Sequence, residues 1–245
     1  MKNYLDYFKE VDQTPWGKLF YKLLWHQLDP YIKDHDEKIL DFGSGFGKTS
    51  NHFASMADVT AYEPNEEMLK ISYRSNVYKQ ISGNIEEFSN QVKNDKFDLI
   101  MIHNVLEYVP DIAKTISTLS SLLKTDGKIS IVKHNLLGHV FTRAVLNDDP
   151  RNALLAYQGS KITSKNFGHI HVYPNQQLEV MLKSNDMSID SIRGIRTVFG
   201  LSNNQQIKEE ASWQDAMFEL ESELENDAVA KQTAFFQHIM AVKNN

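Results

Sequence analysis

Short apolar runs alternate with amphipathic stretches along most of this chain, and their spacing dictates a layered fold. Lys38–Phe42, Asp58–Tyr62, Val77–Ser82, Phe97–His103 and Lys128–Lys133 are short runs centred on apolar residues, the pattern of strands buried on both faces. Between them, Lys48–Met56, Asn65–Asn76, Ile85–Val92 and Asp111–Leu123 read as helices, with Asp111 placed to cap the last. Strands separated by helices of this length make a parallel sheet covered on both faces with right-handed crossovers, a doubly wound α/β fold. Ahead of it, Leu19, Leu23, Leu24 and Leu28 form a helical stripe within Pro15–Tyr31. After Asn135 the rhythm breaks, and residues 136–174 read as irregular chain with short helical pieces, placed to cover the mouth of a site. Gln176–Ser184 returns to helix, Ser188–Phe199 to strand, Trp213–Glu225 to helix and Ala234–Val242 to a closing strand, the seventh.

With 245 residues, 41% of them apolar, the chain sustains a proper core. No run approaches the ~18 consecutive apolar residues of a membrane span, and the start Met1–Tyr7 mixes polar and aromatic residues, unlike a secretory signal. The absence of cysteine excludes disulfides, thiolate metal sites and a thiol nucleophile. A cytoplasmic enzyme with no membrane partner is the expectation. The net charge of −6 argues against sequence-independent binding of nucleic acid. The charge is uneven, however. Between Ser130 and Ile207 eight Lys or Arg, among them Lys133, Arg143, Lys165 and Arg196, outnumber five acids, whereas acids gather from Glu209 to Asp227; a basic substrate surface and a solvated helix face with chance fluctuation both fit this pattern.

The candidate chemistry lies at the first strand. Lys38-Ile-Leu-Asp-Phe-Gly-Ser-Gly-Phe-Gly-Lys48 carries a strand ending in Asp41 through Gly43, Ser44, Gly45 and Gly47 into a helix. Glu63 ends the next strand, 22 positions after Asp41. Glycines let backbone pass close beneath a nucleotide, and a carboxylate at the next strand end can accept both ribose hydroxyls. A phosphate loop would need glycine five positions before Gly47, where Phe42 stands. A dinucleotide fingerprint would need glycine three positions after Gly45, where Lys48 stands, and Asp41 is poorly matched to a pyrophosphate. S-adenosylmethionine, a nucleoside with an amino-acid tail and no phosphate, suits both the spacing and the acid.

Ile39-Leu-Asp-Phe-Gly-Ser-Gly-Phe-Gly47 resembles the first motif of class I S-adenosylmethionine-dependent methyltransferases, and Glu63-Pro-Asn-Glu-Glu-Met68 resembles their second. Phe97–Val109 and Leu122–Ser130 are similar to the motifs around their fourth and fifth strands. The resemblance implies a sheet whose last strand is antiparallel. It also implies cofactor contacts from Asp41, Gly43, Ser44, Gly45, Glu63, Pro64 and Met68, from Asn84 and Ile85 beside the adenine, and from His103. A narrower resemblance, carried by Leu24–Asp29, His103–Val109, His134–Gly138, Gly194–Phe199 and Phe218–Glu225, is to the bacterial tRNA 5-carboxymethoxyuridine methyltransferases. An arginine in the first helix of that family aligns with Phe20 here. The resemblance implies a tRNA partner bearing a carboxylate; a small-molecule acceptor is the alternative.

A carboxylate is ionised at neutral pH, so no general base is expected. Asn135, just past the fifth strand, and Arg196, with a planar fork for a carboxylate, are the candidates for positioning substrate. His134, His139, His169 and His171 lack metal-ligand spacing, and no metal is expected. Trp16 and Trp25 read as core. The organisation expected is one domain over 1–245: a helical cap (1–35), a cofactor-binding half (36–135), a lid segment (136–174) and a C-terminal half (175–245).

Overall fold

The computed structural model describes residues 4–33, 35–164 and 167–244, so Lys165 of the basic stretch lies outside the described residues. Among the described residues the strands are β1 Lys38–Phe42, β2 Asp58–Tyr62, β3 Lys79–Ile81, β4 Phe97–His103, β5 Leu123–His134, β6 Ile162–Ser164, β7 Gly168–Ile170, β8 Met187–Ile195 and β9 Phe236–Lys243. Seven form one sheet in the order β3-β2-β1-β4-β5-β9-β8, mostly parallel with the last strand antiparallel. β6 and β7 make a separate antiparallel hairpin. Two compact units share these elements. The first gathers the chain up to Gln27 with Val132–Pro174 and Ile192–Ile239; the second gathers Leu28–Ile131, Asn175–Ser191 and the chain from Met240.

In the second unit, β1 and β2 bury four of five residues each, as strands flanked on both sides by helices must. Their register runs from Lys38 opposite Asp58 to Phe42 opposite Tyr62, and Asp41 of β1 faces Met101 of β4. The carboxyl ends of these strands therefore lie side by side, so the glycine loop, Glu63 and His103 leave the sheet at one edge. That edge is where doubly wound sheets bind ligands. Beneath it Phe42, Tyr62 and Phe88 pack with ring centroids 4.5–5.3 Å apart.

Several elements depart from the sequence pattern. The helix expected over Asn65–Asn76 spans only Glu66–Leu69. The following chain is tied elsewhere: Tyr73 N–H donates to the Phe46 carbonyl at 2.8 Å, and Asn76 makes two bonds to Asn51. β5 begins at Leu123 rather than Lys128. The strand expected to reach Phe199 stops at Ile195, because Arg196 takes a left-handed φ of 60° and the next three N–H groups turn to a carboxylate. A further helix, Tyr4–Gln13, precedes the one at Pro15–Leu28. The segment 136–174 is more regular than its sequence suggests, with helical turns over Leu136–Leu146, a helix at Pro150–Tyr157 and the β6–β7 hairpin. Among the described residues no helix is long and apolar enough to cross a membrane.

Candidate functional site

The glycine loop of the second unit is held by β2. Gly43 and Ser44 N–H both donate to the Tyr62 carbonyl, at 2.8 and 2.9 Å, and Gly43, Gly45 and Gly47 all have positive φ. At Gly43 a Cβ would lie 2.4 Å from Val105 Cγ2, so side-chain-free backbone is a packing requirement there as well as a conformational one. Ser44 Oγ is buried with no hydrogen-bond partner among the described residues, a polar group left for something else to satisfy.

Glu63 is 6% exposed and binds the loop: one oxygen accepts Gly45 N–H at 2.8 Å, the other Asn65 N–H at 2.8 Å. Burial raises its pKa, and the two backbone bonds pull the other way. Each oxygen keeps a lone pair for a further donor, so the role foreseen for Glu63 is chemically open. Asp41, 3% exposed, accepts the Ser50 hydroxyl at 2.5 Å, and burial pushes its pKa up to about 6. It braces the loop and the first turn of the helix at Lys48–Phe53.

The other expected cofactor residues are spread along the same edge. Met68 is buried, its Cε 3.2 Å from where a Gly45 Cβ would be, and Pro64 is exposed. Asn84 is an exposed helix cap: its Oδ1 accepts Glu86 and Glu87 N–H in a capping box with Glu87, and Ile85 is 47% exposed. His103 Nε2 pairs with Ser130 Oγ at 2.7 Å, and burial lowers its pKa to about 3, so the ring is neutral. Beyond it stands a residue that the sequence did not single out. Asn104 has a φ of 55° and a buried Oδ1 without a hydrogen-bond partner among the described residues, the strained backbone typical of functional positions.

The first unit holds a second constellation around Arg196, which is only 8% exposed. Its guanidinium lies 4.9–5.8 Å from the ring centroids of Trp16, Phe199, Phe235 and Phe236, within cation–π reach of all four. Burial lowers its pKa to about 10, so it stays charged, and its Nε is buried without a hydrogen-bond partner among the described residues. The expectation that Trp16 is core is therefore corrected: it is half-buried and faces a cation. Glu221 is the nearby carboxylate, yet it is fully buried and spent on backbone. Its oxygens accept Thr197 N–H at 2.6 Å and Val198 and Phe199 N–H at 2.9 Å, a nest that fixes the turn carrying Arg196. The reading of Glu209–Asp227 as a solvated face is corrected at Glu221 and at Glu225, which is 6% exposed. The alternating Glu219-Leu-Glu-Ser-Glu run gives no periodic signal for which carboxylate turns inward.

Asn135 commits both amide protons, to the Gln232 carbonyl at 2.7 Å and the Ala234 carbonyl at 2.9 Å. Phe20 is buried edge-on to Phe236 at 5.1 Å, an apolar packing role. His134 and His139 bond to each other at 2.8 Å, and burial pushes His139 down to about 4 and His134 well below its usual range. Among the described residues no group of three or more His, Cys, Asp or Glu is placed to hold a metal ion.

A sequence profile of the methyltransferase domain family matches residues 16–192. The tRNA 5-carboxymethoxyuridine methyltransferase of Escherichia coli strain K12 is 27% identical over 141 residues, covering 53% of this chain and 54% of that protein. The ubiquinone biosynthesis O-methyltransferase of Paraburkholderia phymatum is 26% identical over 131 residues, covering 47% and 56%. The chain thus spans about half the length of the curated relatives it matches. The crystal structure of the plantazolicin methyltransferase BpumL, solved with S-adenosylhomocysteine and a substrate analogue, superposes with a TM-score of 0.58 at 18% identity. That alignment covers 98% of this chain and 89% of BpumL, a likeness of fold.

Proposed function

Since this chain belongs to the methyltransferase domain family, we propose that it transfers the methyl group of S-adenosylmethionine to a carboxylate, and that this carboxylate is carried by a modified uridine at the wobble position of a tRNA. One observation carries the acceptor assignment: Arg196 is a buried cation among aromatic faces, without a salt bridge among the described residues, and the nearby Glu221 carboxylate is committed to backbone N–H groups. Breaking a buried pair by removing one partner costs about 3–5 kcal/mol, so a cation left in that condition is matched by an anion that arrives with the substrate. The guanidinium fork would align the carboxylate through two parallel N–H bonds. Each carboxylate oxygen held this way would keep a further lone pair for attack.

The cofactor supplies an electrophilic methyl group on a positively charged sulfur. The residues at the sheet edge fit such a ligand. Two buried carboxylates, Asp41 and Glu63, suit a cationic nucleoside and would repel a polyphosphate, and Glu63 retains lone pairs for ribose hydroxyls. With the cofactor bound, the attacking oxygen would form the new C–O bond as the C–S bond broke and its electron pair returned to sulfur, giving a methyl ester and S-adenosylhomocysteine. No proton moves. The chain's contribution is therefore alignment and exclusion of water.

A small-molecule acceptor is the second reading, favoured by the net charge of −6. A hydroxyl acceptor is disfavoured, because the imidazoles near the cage, His134 and His139, are held as weak bases. Nucleoside mass spectrometry of tRNA from deletion and parent strains decides between them. Loss of a wobble uridine methyl ester supports the tRNA acceptor; unchanged ester with intact S-adenosylmethionine turnover assigns the small molecule. Purified Arg196→Met is expected to bind S-adenosylhomocysteine as the parent does and to lose acceptor methylation by at least about a hundredfold.

A further inference from the structure

Lys208 is a second buried cation in the unit that holds Arg196, and the reaction above makes no use of it. It is 2% exposed, and its ammonium lies 4.4 Å from the centroid of the Phe199 ring, the same ring that carries the Arg196 guanidinium at 5.2 Å. A bond to the Ser202 carbonyl at 2.7 Å takes one of its three protons. Burial and the neighbouring Arg196 charge both lower its pKa. The carboxylate of this neighbourhood, Glu221, has both oxygens on backbone N–H groups. Two cations thus share one ring against a single committed carboxylate, and no ion pair to either is present among the described residues. Buried charge is retained when something compensates it. A lone carboxylate would be matched by Arg196 by itself, which leaves the second cation without a purpose.

We propose that Lys208 and Arg196 together form a dianion site, so that the acceptor presents a second anionic group beside the carboxylate that is methylated. This rests on the reading of Arg196 as the acceptor's cation. The fork of Arg196 fixes the geometry of the reacting carboxylate, and Lys208, a compact charge with two spare protons, takes the other group. Esterification then removes one of the two negative charges, so the product is held by Lys208 alone and leaves more readily than the substrate.

Calorimetric titration of the full chain with acetate, malonate and phosphonoacetate, at neutral pH and constant low ionic strength, tests the site without methyl transfer. Malonate or phosphonoacetate is expected to bind at least about tenfold tighter than acetate, and the stronger of the two shows whether the second group is a carboxylate or phosphate-like. Lys208→Met should erase that preference while leaving acetate affinity within about twofold, and Lys208→Arg should keep it. Lys208→Met should also melt no lower than the parent, because an uncompensated buried charge has gone; a purely structural lysine would predict a lower melting point. Equal affinity of the parent for all three anions, or a dianion preference that survives Lys208→Met, overturns the proposal. The parent comparison needs no variant and so decides the matter even if Lys208→Met does not fold. A dianion preference with no methyl ester on any tRNA nucleoside would sink the acceptor assignment and leave this site standing.

Discussion

Glu221→Gln replaces one carboxylate oxygen by an amide and asks whether this side chain holds the turn that carries Arg196. In the parent, Oε2 accepts Thr197 N–H at 2.6 Å and Oε1 accepts Val198 and Phe199 N–H at 2.9 Å, in a fully buried setting. A glutamine carbonyl can keep the two bonds of Oε1. Its NH2 then faces Thr197 N–H, donor against donor. Losing a charge-assisted bond costs about 1.5–3 kcal/mol, and an orphaned buried donor costs about 1–3 more. Relief of the buried charge offsets part of this, so the net expectation is about 3 kcal/mol. For a chain of this length about 1 kcal/mol moves the midpoint by about 2–4 °C, giving a fall of roughly 6–12 °C in a thermal melt. Urea unfolding should show the same loss with an unchanged slope. Arg196 sits at a φ of 60° that the nest enforces, so KM for the acceptor should rise while S-adenosylhomocysteine affinity holds. A midpoint within about 2 °C of the parent would refute the view that Glu221 holds the turn.

Gly43→Ala puts a Cβ 2.4 Å from Val105 Cγ2 on a backbone with a φ of 80°, and should weaken S-adenosylhomocysteine binding by at least about tenfold in calorimetry; parental affinity would count against the loop as the cofactor's seat. Asp41, raised by burial to about 6, binds its proton more tightly folded than unfolded, so its contribution to stability falls as pH rises from about 4 to about 6. Asp41→Asn should therefore gain on the parent across that window by up to about 3 kcal/mol, and a constant difference in pH-dependent melts would contradict the assignment. His103 has the opposite sign. Its pKa is depressed to about 3, so its stabilisation is complete above about 6.5 and is lost as pH falls towards 3; His103→Gln should flatten that acid limb of the stability curve.

The sheet was legible because its strands obey a local rule: apolar runs bounded by glycine, acids and helix caps, with the first, second and fourth strands at the residues the pattern marks. The glycine loop and Glu63 were legible for the same reason, being fixed by strand ends. What failed was decided by distant bonds. The helix after Asn65 stops where Tyr73 reaches back to Phe46, and β8 ends early because a carboxylate 26 positions beyond Ile195 takes the N–H groups that would have continued it. Arg196 was singled out because a carboxylate substrate asks for a fork. Lys208 and Glu221 were not, since a buried lysine in Gln-Ile-Lys-Glu-Glu and a buried glutamate in an acidic helix look like surface in any periodicity.

The proposed chemistry gives a reason for buried carboxylates at one group of candidate residues and buried cations at another. Methyl transfer from a sulfonium to a carboxylate consumes one cation and one anion and leaves two neutral groups. Each reactant must be drawn from water into a dry site before it reacts, and each is most costly to bury at that moment. On the proposed reading, the buried carboxylates Asp41 and Glu63 would offset that cost for the cationic reactant, and the buried cations Arg196 and Lys208 for the anionic one. Too strong a grip would favour the reactants over the transition state, where both charges are already fading. On the same reading that grip would be moderated for each reactant. Ser50 and backbone N–H groups share the carboxylates, and aromatic faces rather than carboxylates surround the guanidinium. Holding charge with weak partners would keep both proposed reactants bound and still able to lose their charge.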